Sequence, residues 1–215
     1  MRGISTKCLV LGFMIPVSSW AANRKSPDVA EQTTRISVTV LNGAAVPDNT
    51  LIEAQKQAGR ILRQAGVEVE WLDCQLATNT SACTGAAEAN RLQLTIVTED
   101  NRQMFGEDVL GRSVVGGSNK GVYARVFYAH IQAKAEQEGV SPATLLGLAV
   151  AHEFGHLLLG PKAHSQQGIM RANWSHSDLQ RGIQGQLRFT DQQAPLIRAN
   201  VQSRMNDSLA AQPAL

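Results

Sequence analysis

The amino-acid sequence predicts an α/β (α+β) domain in which helices pack on a β-sheet and one buried helix carries the chemically active residues. Three observations support this fold class. Short segments rich in β-branched residues alternate polar and apolar positions, as half-buried strands do. Residues 51–65 repeat apolar side chains at the spacing of an amphipathic helix. Residues 143–159 are apolar nearly all round, which is typical of a helix buried inside a protein.

Residues 1–21 have the composition of a cleaved signal peptide. Arg2 and Lys7 supply positive charge, a ten-residue apolar run follows them, and Ser19-Trp20-Ala21 provides a small-x-small cleavage site. We therefore expect cleavage before Ala22 and a secreted or periplasmic mature protein. Because the apolar run is much shorter than the ~20 residues of a spanning helix, we expect no stable membrane association after cleavage.

The mature chain has a charge balance near zero. Loss of the signal leaves 18 Lys and Arg residues against 18 Asp and Glu residues. The chain shows no basic stripe and few aromatic residues, so we expect no nucleic-acid partner. Composition indicates no particular oligomeric state.

The mature chain is predicted to form one domain. Residues 22–34 are polar and form a short flexible lead-in, and residues 35–215 form the domain, with an upper part at 35–160 and a lower part at 161–215. Cys74 and Cys83 are the two cysteines that remain after cleavage. In an exported chain, such a pair predicts a disulfide bond that closes a local loop, in preference to thiolate ligands for a metal.

Five segments have the alternation and β-branched content of strands, and they are 35–41, 67–72, 92–97, 108–115 and 122–128. A helix follows the first of these strands, beginning after Pro47-Asp48-Asn49-Thr50 and ending at Gly66. The buried helix begins at Ser141-Pro142, which offers an N-cap and a proline at the first helical position. After an irregular stretch, apolar spacing predicts a last helix at 192–205.

The buried helix carries His152, Glu153 and His156. Residues four apart lie on one face of a helix, so the two imidazoles can point at one metal ion. Glu153 lies about 100° further around the helix, where its carboxylate can reach a water on that metal without displacing a ligand. This HExxH pattern predicts a hydrolase with one catalytic Zn²⁺ and with Glu153 as the general base.

A catalytic zinc usually has three protein ligands and keeps a fourth position for water. Gly160 can adopt the left-handed conformation that ends a helix, and Pro161 prevents its continuation, so the chain turns back after His156. This turn favours His164 as the third ligand, with His176 and Asp178 as alternatives.

Other polar residues have weaker interpretations. His130 ends a predicted strand and is expected to be structural. Arg171 and His176 are possible oxyanion donors, but nothing in their spacing favours that role.

The stretch from His152 to Met170 resembles the metzincin metalloproteases, whose signature is HExxHxxGxxH followed by a methionine turn. The HExGH form, Ser165 after the third histidine and the nearby Met170 make it most similar to the matrixin branch. The resemblance implies a mixed twisted sheet with a backing helix and an active-site helix. It also implies that Met170 lies beneath the metal and that 109–115 is an antiparallel edge strand that pairs with an extended substrate.

The chain departs from that signature in two respects. The glycine follows the second histidine by four residues where the signature has three, and His164 follows it by eight where the signature has six. No tyrosine follows Met170, because Tyr123 and Tyr128 both come earlier, so the tyrosine ligand of the astacin and serralysin branches is absent. The resemblance is therefore to a divergent metzincin.

The main functional prediction is an exported zinc endopeptidase that acts on proteins or peptides. A zinc amidase or peptidase for cell-wall peptides would use the same water chemistry on another amide bond. A zinc-stabilised binding domain without catalysis is the third possibility, although it would have no use for Glu153 and would usually close the fourth metal position with a protein ligand.

Overall fold

The computed structural model describes residues 34–74, 90–98, 109–115 and 121–210. Within these ranges the strands are β1 (Arg35–Asn42), β2 (Glu68–Asp73), β3 (Arg91–Val97), β4 (Gly111–Val114) and β5 (Tyr123–Phe127). The helices are α1 (Asp48–Gln64), α2 (Tyr128–Glu138), α3 (Pro142–Leu159), α4 (His176–Ile183) and α5 (Gln193–Ala210). The predicted α/β class is confirmed.

The described strands form one mixed sheet in the order β2-β1-β3-β5-β4. The first four of these strands run parallel, and β4 pairs antiparallel with β5 at the edge. The predicted antiparallel edge strand is therefore present, with described bounds of Gly111–Val114. In β3, Leu92, Leu94 and Ile96 are buried while the intervening residues are partly exposed, which is the alternation expected of a sheet covered by helices on one face.

Helices α1 and α3 pack against each other within the hydrophobic core. The contact is close at Gly147, where a Cβ atom would come within 2.6 Å of the Gln57 Cβ and 2.7 Å of the Ala54 carbonyl oxygen. Among the described residues, α3 alone is long and apolar enough to span a membrane, and most of it is buried in the domain. Its apolar character is therefore explained by its central position in the core.

Two short helices were not predicted from the sequence. Helix α2 begins at Tyr128, where the predicted fifth strand was expected to end, and it includes His130 in its first turn. Its apolar residues are few and weakly periodic, so the pattern of β5 masks its start. Helix α4 begins inside the stretch that was expected to be a loop; its signal is Ser175-x-x-Asp178, a capping box that both side chains form.

The remaining elements lie close to their predicted positions. Helix α3 begins as expected, with the Thr144 N–H donating to the Ser141 hydroxyl at 3.0 Å. Helix α5 extends five residues beyond the predicted end at Met205. Residues 1–33, which include the predicted signal peptide and most of the lead-in, lie outside the described residues, as does Cys83, so the signal and the disulfide bond with Cys74 stay predictions.

Candidate metal centre

Three imidazoles from α3 and the following turn converge on one point. The Nε2 atom of His156 lies 3.2 Å from the Nε2 atom of His152 and 3.1 Å from the Nε2 atom of His164. Ligand atoms about 2 Å from a tetrahedral ion lie roughly 3.3 Å from one another. The spacing of the three nitrogens therefore fits a single zinc ion.

Backbone carbonyls fix which nitrogen of each ring faces the centre. His152 Nδ1 lies 2.8 Å from the Ile169 carbonyl oxygen, and His156 Nδ1 lies 3.4 Å from that of Gly160. A carbonyl only accepts, so each Nδ1 carries the proton and each Nε2 presents a lone pair. Two such lone pairs 3.2 Å apart repel each other unless a cation lies between them, which supports a metal at this point.

The turn after α3 brings His164 back to the helix. The Gly160 N–H donates to the His156 carbonyl at 2.9 Å, and Gly160 has φ 101° and ψ 171°. The positive φ agrees with the sequence prediction, but the extended ψ differs from the left-handed helical conformation that was expected. This region of φ and ψ is accessible essentially to glycine alone, and it directs Pro161 away from the helix axis.

Met170 packs against α3 at Gly155. It is fully buried, and a Cβ atom on Gly155 would come within 2.1 Å of its sulfur. Gly155 directly precedes His156, so the absence of a side chain there allows the methionine to approach the helix next to a histidine of the cluster. The position of Met170 beneath the metal, which the sequence resemblance implies, stays a prediction.

Glu153 lies beside the cluster and is 6% exposed. Burial raises the pKa of the Glu153 carboxyl to about 7, although a hydrogen bond from Ser113 and the charge of Arg112 act in the opposite direction. The Ser113 hydroxyl lies 2.6 Å from Glu153 Oε2. A carboxyl with a pKa near neutrality is suited to accept and return a proton.

Burial also lowers the pKa of both helical imidazoles. The pKa of His152 falls to about 4, mainly by desolvation, and that of His156 is lowered for the same reason. Both rings are therefore neutral near pH 7, which is the form that binds a metal.

The cluster opens into a cleft with a volume of about 710 Å³. One wall is the edge strand β4, including Ser113, and another contains Asn173 and Trp174. Leu145, Ala149 and Leu179 supply an apolar part of the lining. The cleft is large enough for several residues of an extended peptide, and the histidines and Glu153 are among its polar lining residues.

The alternative ligands from the sequence lie elsewhere. His176 Nδ1 is 3.2 Å from Glu138 Oε2, and Asp178 binds the Ser175 backbone N–H and Arg171. Neither belongs to the histidine cluster, and neither His176 nor Arg171 lines the cleft. His130 is buried in α2, and its Nδ1 lies 2.8 Å from the Val109 carbonyl oxygen, where it connects α2 to the segment leading into β4.

Two cleft residues were not identified from the sequence. Ser113 touches Glu153 from β4, and the Trp174 ring packs edge-on against His152 with centroids 5.6 Å apart. Both contacts connect segments distant along the chain, so no local spacing signals them.

Comparisons with known proteins bear on the fold. No protein-family model and no curated protein matches the chain significantly. A zinc-dependent peptidase from Methanocorpusculum labreanum is similar in structure, with 14% sequence identity, a TM-score of 0.50, and coverage of 74% of this chain and 99% of its own. Archaemetzincin from Methanopyrus kandleri has 14% identity and a TM-score of 0.51, and the match covers 81% of this chain and 99% of its own. The chain therefore has a fold found in zinc peptidases, and the similarity does not single out the matrixin branch.

Proposed function

We propose that this protein is a zinc-dependent endopeptidase. The observation that carries the proposal is the convergence of three histidine Nε2 atoms at one point beside a buried carboxyl, within a cleft bordered by an edge strand. His152, His156 and His164 are the proposed zinc ligands, and Glu153 is the proposed general base. The archaeal zinc peptidases that share the fold support this reading.

The proposed zinc ion and Glu153 have different roles in the reaction. Zinc in a site with three histidines lowers the pKa of water and polarises a carbonyl group. Glu153 accepts the proton from the attacking water and delivers it to the leaving amine. Its carboxyl is buried beside the ligand cluster and is bound there by the Ser113 hydroxyl, so it is held close to the proposed metal position.

The open edge of the sheet supports a peptide substrate. Among the described strands, none pairs with the outer edge of β4, and this edge borders the cleft. An extended peptide can add to such an edge through main-chain hydrogen bonds and so present an internal bond to the metal. This geometry favours an endopeptidase that accepts chains longer than a few residues.

Export and family membership complete the proposal. The positive charge, apolar run and cleavage site of residues 1–21 support a secreted or periplasmic protein. The HExGH motif, the serine after His164 and the position of Met170 support a divergent metzincin-like peptidase. Mass spectrometry of the protein recovered from its host tests the export step, because cleavage before Ala22 gives a defined mass.

The first experiment is elemental analysis of the purified wild type and two histidine variants. We expect about one zinc per chain in the wild type, a large loss in His164→Ala, and full retention in His176→Ala, whose histidine lies outside the cluster. Zinc retained fully by His164→Ala would contradict the ligand assignment, and a metal-free wild type in the presence of zinc would contradict the metallopeptidase.

The second experiment separates an enzyme from a zinc-stabilised binding domain. Glu153→Gln should keep its zinc and lose at least 100-fold in kcat on an unfolded protein substrate, because the amide cannot accept a proton. Unchanged cleavage by this variant would remove Glu153 from the mechanism.

A further inference from the structure

The backbone of β4 presents alternate residues to the outer edge of the sheet. The Phe127 N–H donates to the Leu110 carbonyl at 3.0 Å, so these two residues form a hydrogen-bonded antiparallel pair. In an antiparallel ladder such pairs alternate with pairs whose N–H and C=O groups point away from the partner strand. In the register of β4 and β5, Gly111 and Ser113 belong to the second kind. Their backbone groups therefore face the edge that an added strand would use.

The side-chain positions of the same two residues face Glu153. The Ser113 hydroxyl lies 2.6 Å from Glu153 Oε2 and 2.8 Å from the Glu153 carbonyl oxygen. A Cβ atom on Gly111 would come within 2.9 Å of both Cγ and Oε1 of Glu153. Gly111 thus leaves the space that the carboxyl occupies, and Ser113 binds the carboxyl in that space.

The hydroxyl of Ser113 lies between the side chain and the backbone of Glu153. A serine hydroxyl has one hydrogen to donate and two lone pairs that accept. Both Glu153 oxygens, the carboxylate Oε2 and the backbone carbonyl, lie within 2.8 Å of it. Ser113 is therefore placed to limit the rotation of the carboxyl relative to the helix that carries it.

We propose that Ser113 is a positioning residue that orients Glu153 from the edge strand, with Gly111 providing the space for the carboxyl. The proposal rests on the proposed peptidase function and adds a link that the function alone does not require. A peptide that pairs with the backbone of Gly111 and Ser113 contacts β4. The Ser113 side chain on this strand binds Glu153, the proposed general base. Substrate docking and base orientation therefore share one residue.

The test compares two variants that differ by the hydroxyl alone. Ser113→Thr keeps a hydroxyl, and Ser113→Val replaces it with a methyl group in a side chain of the same shape. Both variants add a methyl group to the wild-type side chain. Ser113→Ala lacks that added group and so serves as the control for its effect on the site. On a protein substrate we expect Ser113→Val and Ser113→Ala to lose tenfold to a hundredfold in kcat, because the hydrogen bond is to a charged group. KM should change less than threefold, since the backbone of β4 is intact, and Ser113→Thr should recover most of kcat.

A second readout does not depend on turnover. Crystal structures of Ser113→Thr and Ser113→Val, with zinc content and melting temperature measured on the same preparations, report the Glu153 carboxyl directly. We expect equal zinc and similar melting temperatures, with the carboxyl in its wild-type place in the threonine variant and displaced or spread over several rotamers in the valine variant.

The outcomes separate this inference from the proposed function. A wild type that cleaves peptides together with an equally active Ser113→Val would overturn the positioning role and leave the peptidase intact. Loss of kcat in Ser113→Val accompanied by loss of zinc, or with the carboxyl unmoved, would also overturn it. A wild type with neither zinc nor cleavage would remove the function on which the inference rests.

Discussion

The Ile169 carbonyl oxygen accepts two hydrogen bonds that orient the metal centre. His152 Nδ1 approaches it at 2.8 Å and Trp174 Nε1 at 3.1 Å. The Trp174 ring also meets the His152 ring edge-on, with an interplanar angle of 85°. The His152 imidazole is thus fixed by a hydrogen bond at Nδ1 and by a T-shaped contact with the Trp174 ring, which limits its rotation before any metal binds.

Asp178 organises the segment that follows this contact. It accepts hydrogen bonds from the Ser175 backbone N–H at 3.0 Å and from Arg171 at 2.9 Å. Burial alone would raise the pKa of Asp178, but the Ser175 hydrogen bonds and the Arg171 charge outweigh it and lower the pKa. Trp174, which lines the cleft, lies between Arg171 and Ser175 along the chain. By binding both of these residues, the Asp178 carboxylate fixes the two ends of the segment that carries Trp174.

We expect Asp178→Asn to destabilise the protein by about 1 kcal/mol at pH 7, the usual cost of a weakened helix cap. A lowered pKa contributes stability that is present above the unfolded value, near 3.9, and that is lost as pH falls through the folded pKa. Urea unfolding at several pH values measures the difference in the free energy of unfolding between wild type and Asp178→Asn. This difference should have its full size above about pH 5 and should shrink below about pH 4. A difference that grows on acidification would contradict the assignment.

At the residue scale, local spacing determined what could be predicted. His152, Glu153 and His156 follow from the geometry of one helix, and His164 follows from the glycine and proline that end it. Ser113 could not be predicted because its contact with Glu153 joins positions 40 residues apart. His176 and Asp178 were reasonable ligand candidates by residue type, but the capping box that starts α4 binds Asp178 locally and turns this segment away from the metal centre.

The C-terminal end of α3 is held by an arginine from α5. Arg204 is fully buried, and its Nη2 atom donates at 2.9 Å to the carbonyls of both Leu157 and Gly121. In a continuing helix the Leu157 carbonyl would accept from residue 161, but Pro161 has no N–H. Arg204 therefore supplies the donor that the proline removes, one residue after His156.

We expect Arg204→Met to destabilise the protein by about 3 kcal/mol, because two buried carbonyls lose a donor. Arg198→Met is the matched control: Arg198 also lies on α5 and donates to the Ala65 carbonyl at 2.9 Å, but its side chain is exposed, so its loss should cost less than about 1 kcal/mol. Urea unfolding measures both. Equal losses in the two variants would contradict the role given to burial.

Two helical glycines give a test of the α1 and α3 packing. Gly147→Ala should cost roughly 1 to 3 kcal/mol, since the new Cβ would lie 2.6 Å from the Gln57 Cβ and the helices would have to separate. At Gly59 of α1 the corresponding distance to Trp71 Nε1 is 3.6 Å, so Gly59→Ala should be neutral or stabilise by up to about 1 kcal/mol. Thermal unfolding should give a lower melting temperature for Gly147→Ala and an equal or higher one for Gly59→Ala, and a destabilised Gly59→Ala with an unaffected Gly147→Ala would refute the packing argument.

Among the elements, strong periodicity predicted strands β1 to β5 and helices α1, α3 and α5 to within a few residues. Helix α2 could not be predicted because Tyr128 continues the apolar pattern of β5 directly into the helix. Helix α4 is short and polar, and its start depends on the Ser175 and Asp178 capping pair more than on an apolar face.

For the whole molecule, the core and the metal centre are separate sources of stability. The buried residues of the sheet, α1 and α3 form one cluster that does not depend on the histidines. We expect chelation to abolish peptidase activity and leave the far-ultraviolet circular dichroism spectrum unchanged. Zinc at a free concentration 1,000 times its Kd should add about 4 kcal/mol, raising the melting temperature by roughly 10 °C. A chelated protein that loses its helical signal would show that the metal is required for folding.

The overall architecture was predictable because its main elements are long and regular. Helix α1 connects β1 to β2, which is the kind of crossover that parallel neighbours need, whereas the antiparallel edge strand was an expectation from the family resemblance that the pairing of β4 with β5 confirms. The sequence could not predict which distant segments meet at the cleft, such as Leu179 of α4 with Leu145 and Ala149 of α3.

The outer edge of β4, with which no other described strand pairs, also has a consequence for how the protein meets copies of itself. An edge that offers main-chain hydrogen bonds does so to any extended chain, including the same strand of a second molecule. Three features limit such sheet-to-sheet association: the four-residue length of β4, the charge of Arg112 on β4, and the like charge of Arg125 opposite it on β5. Low ionic strength leaves the repulsion between these arginines on two approaching molecules unscreened, so self-association through β4 should increase as ionic strength rises.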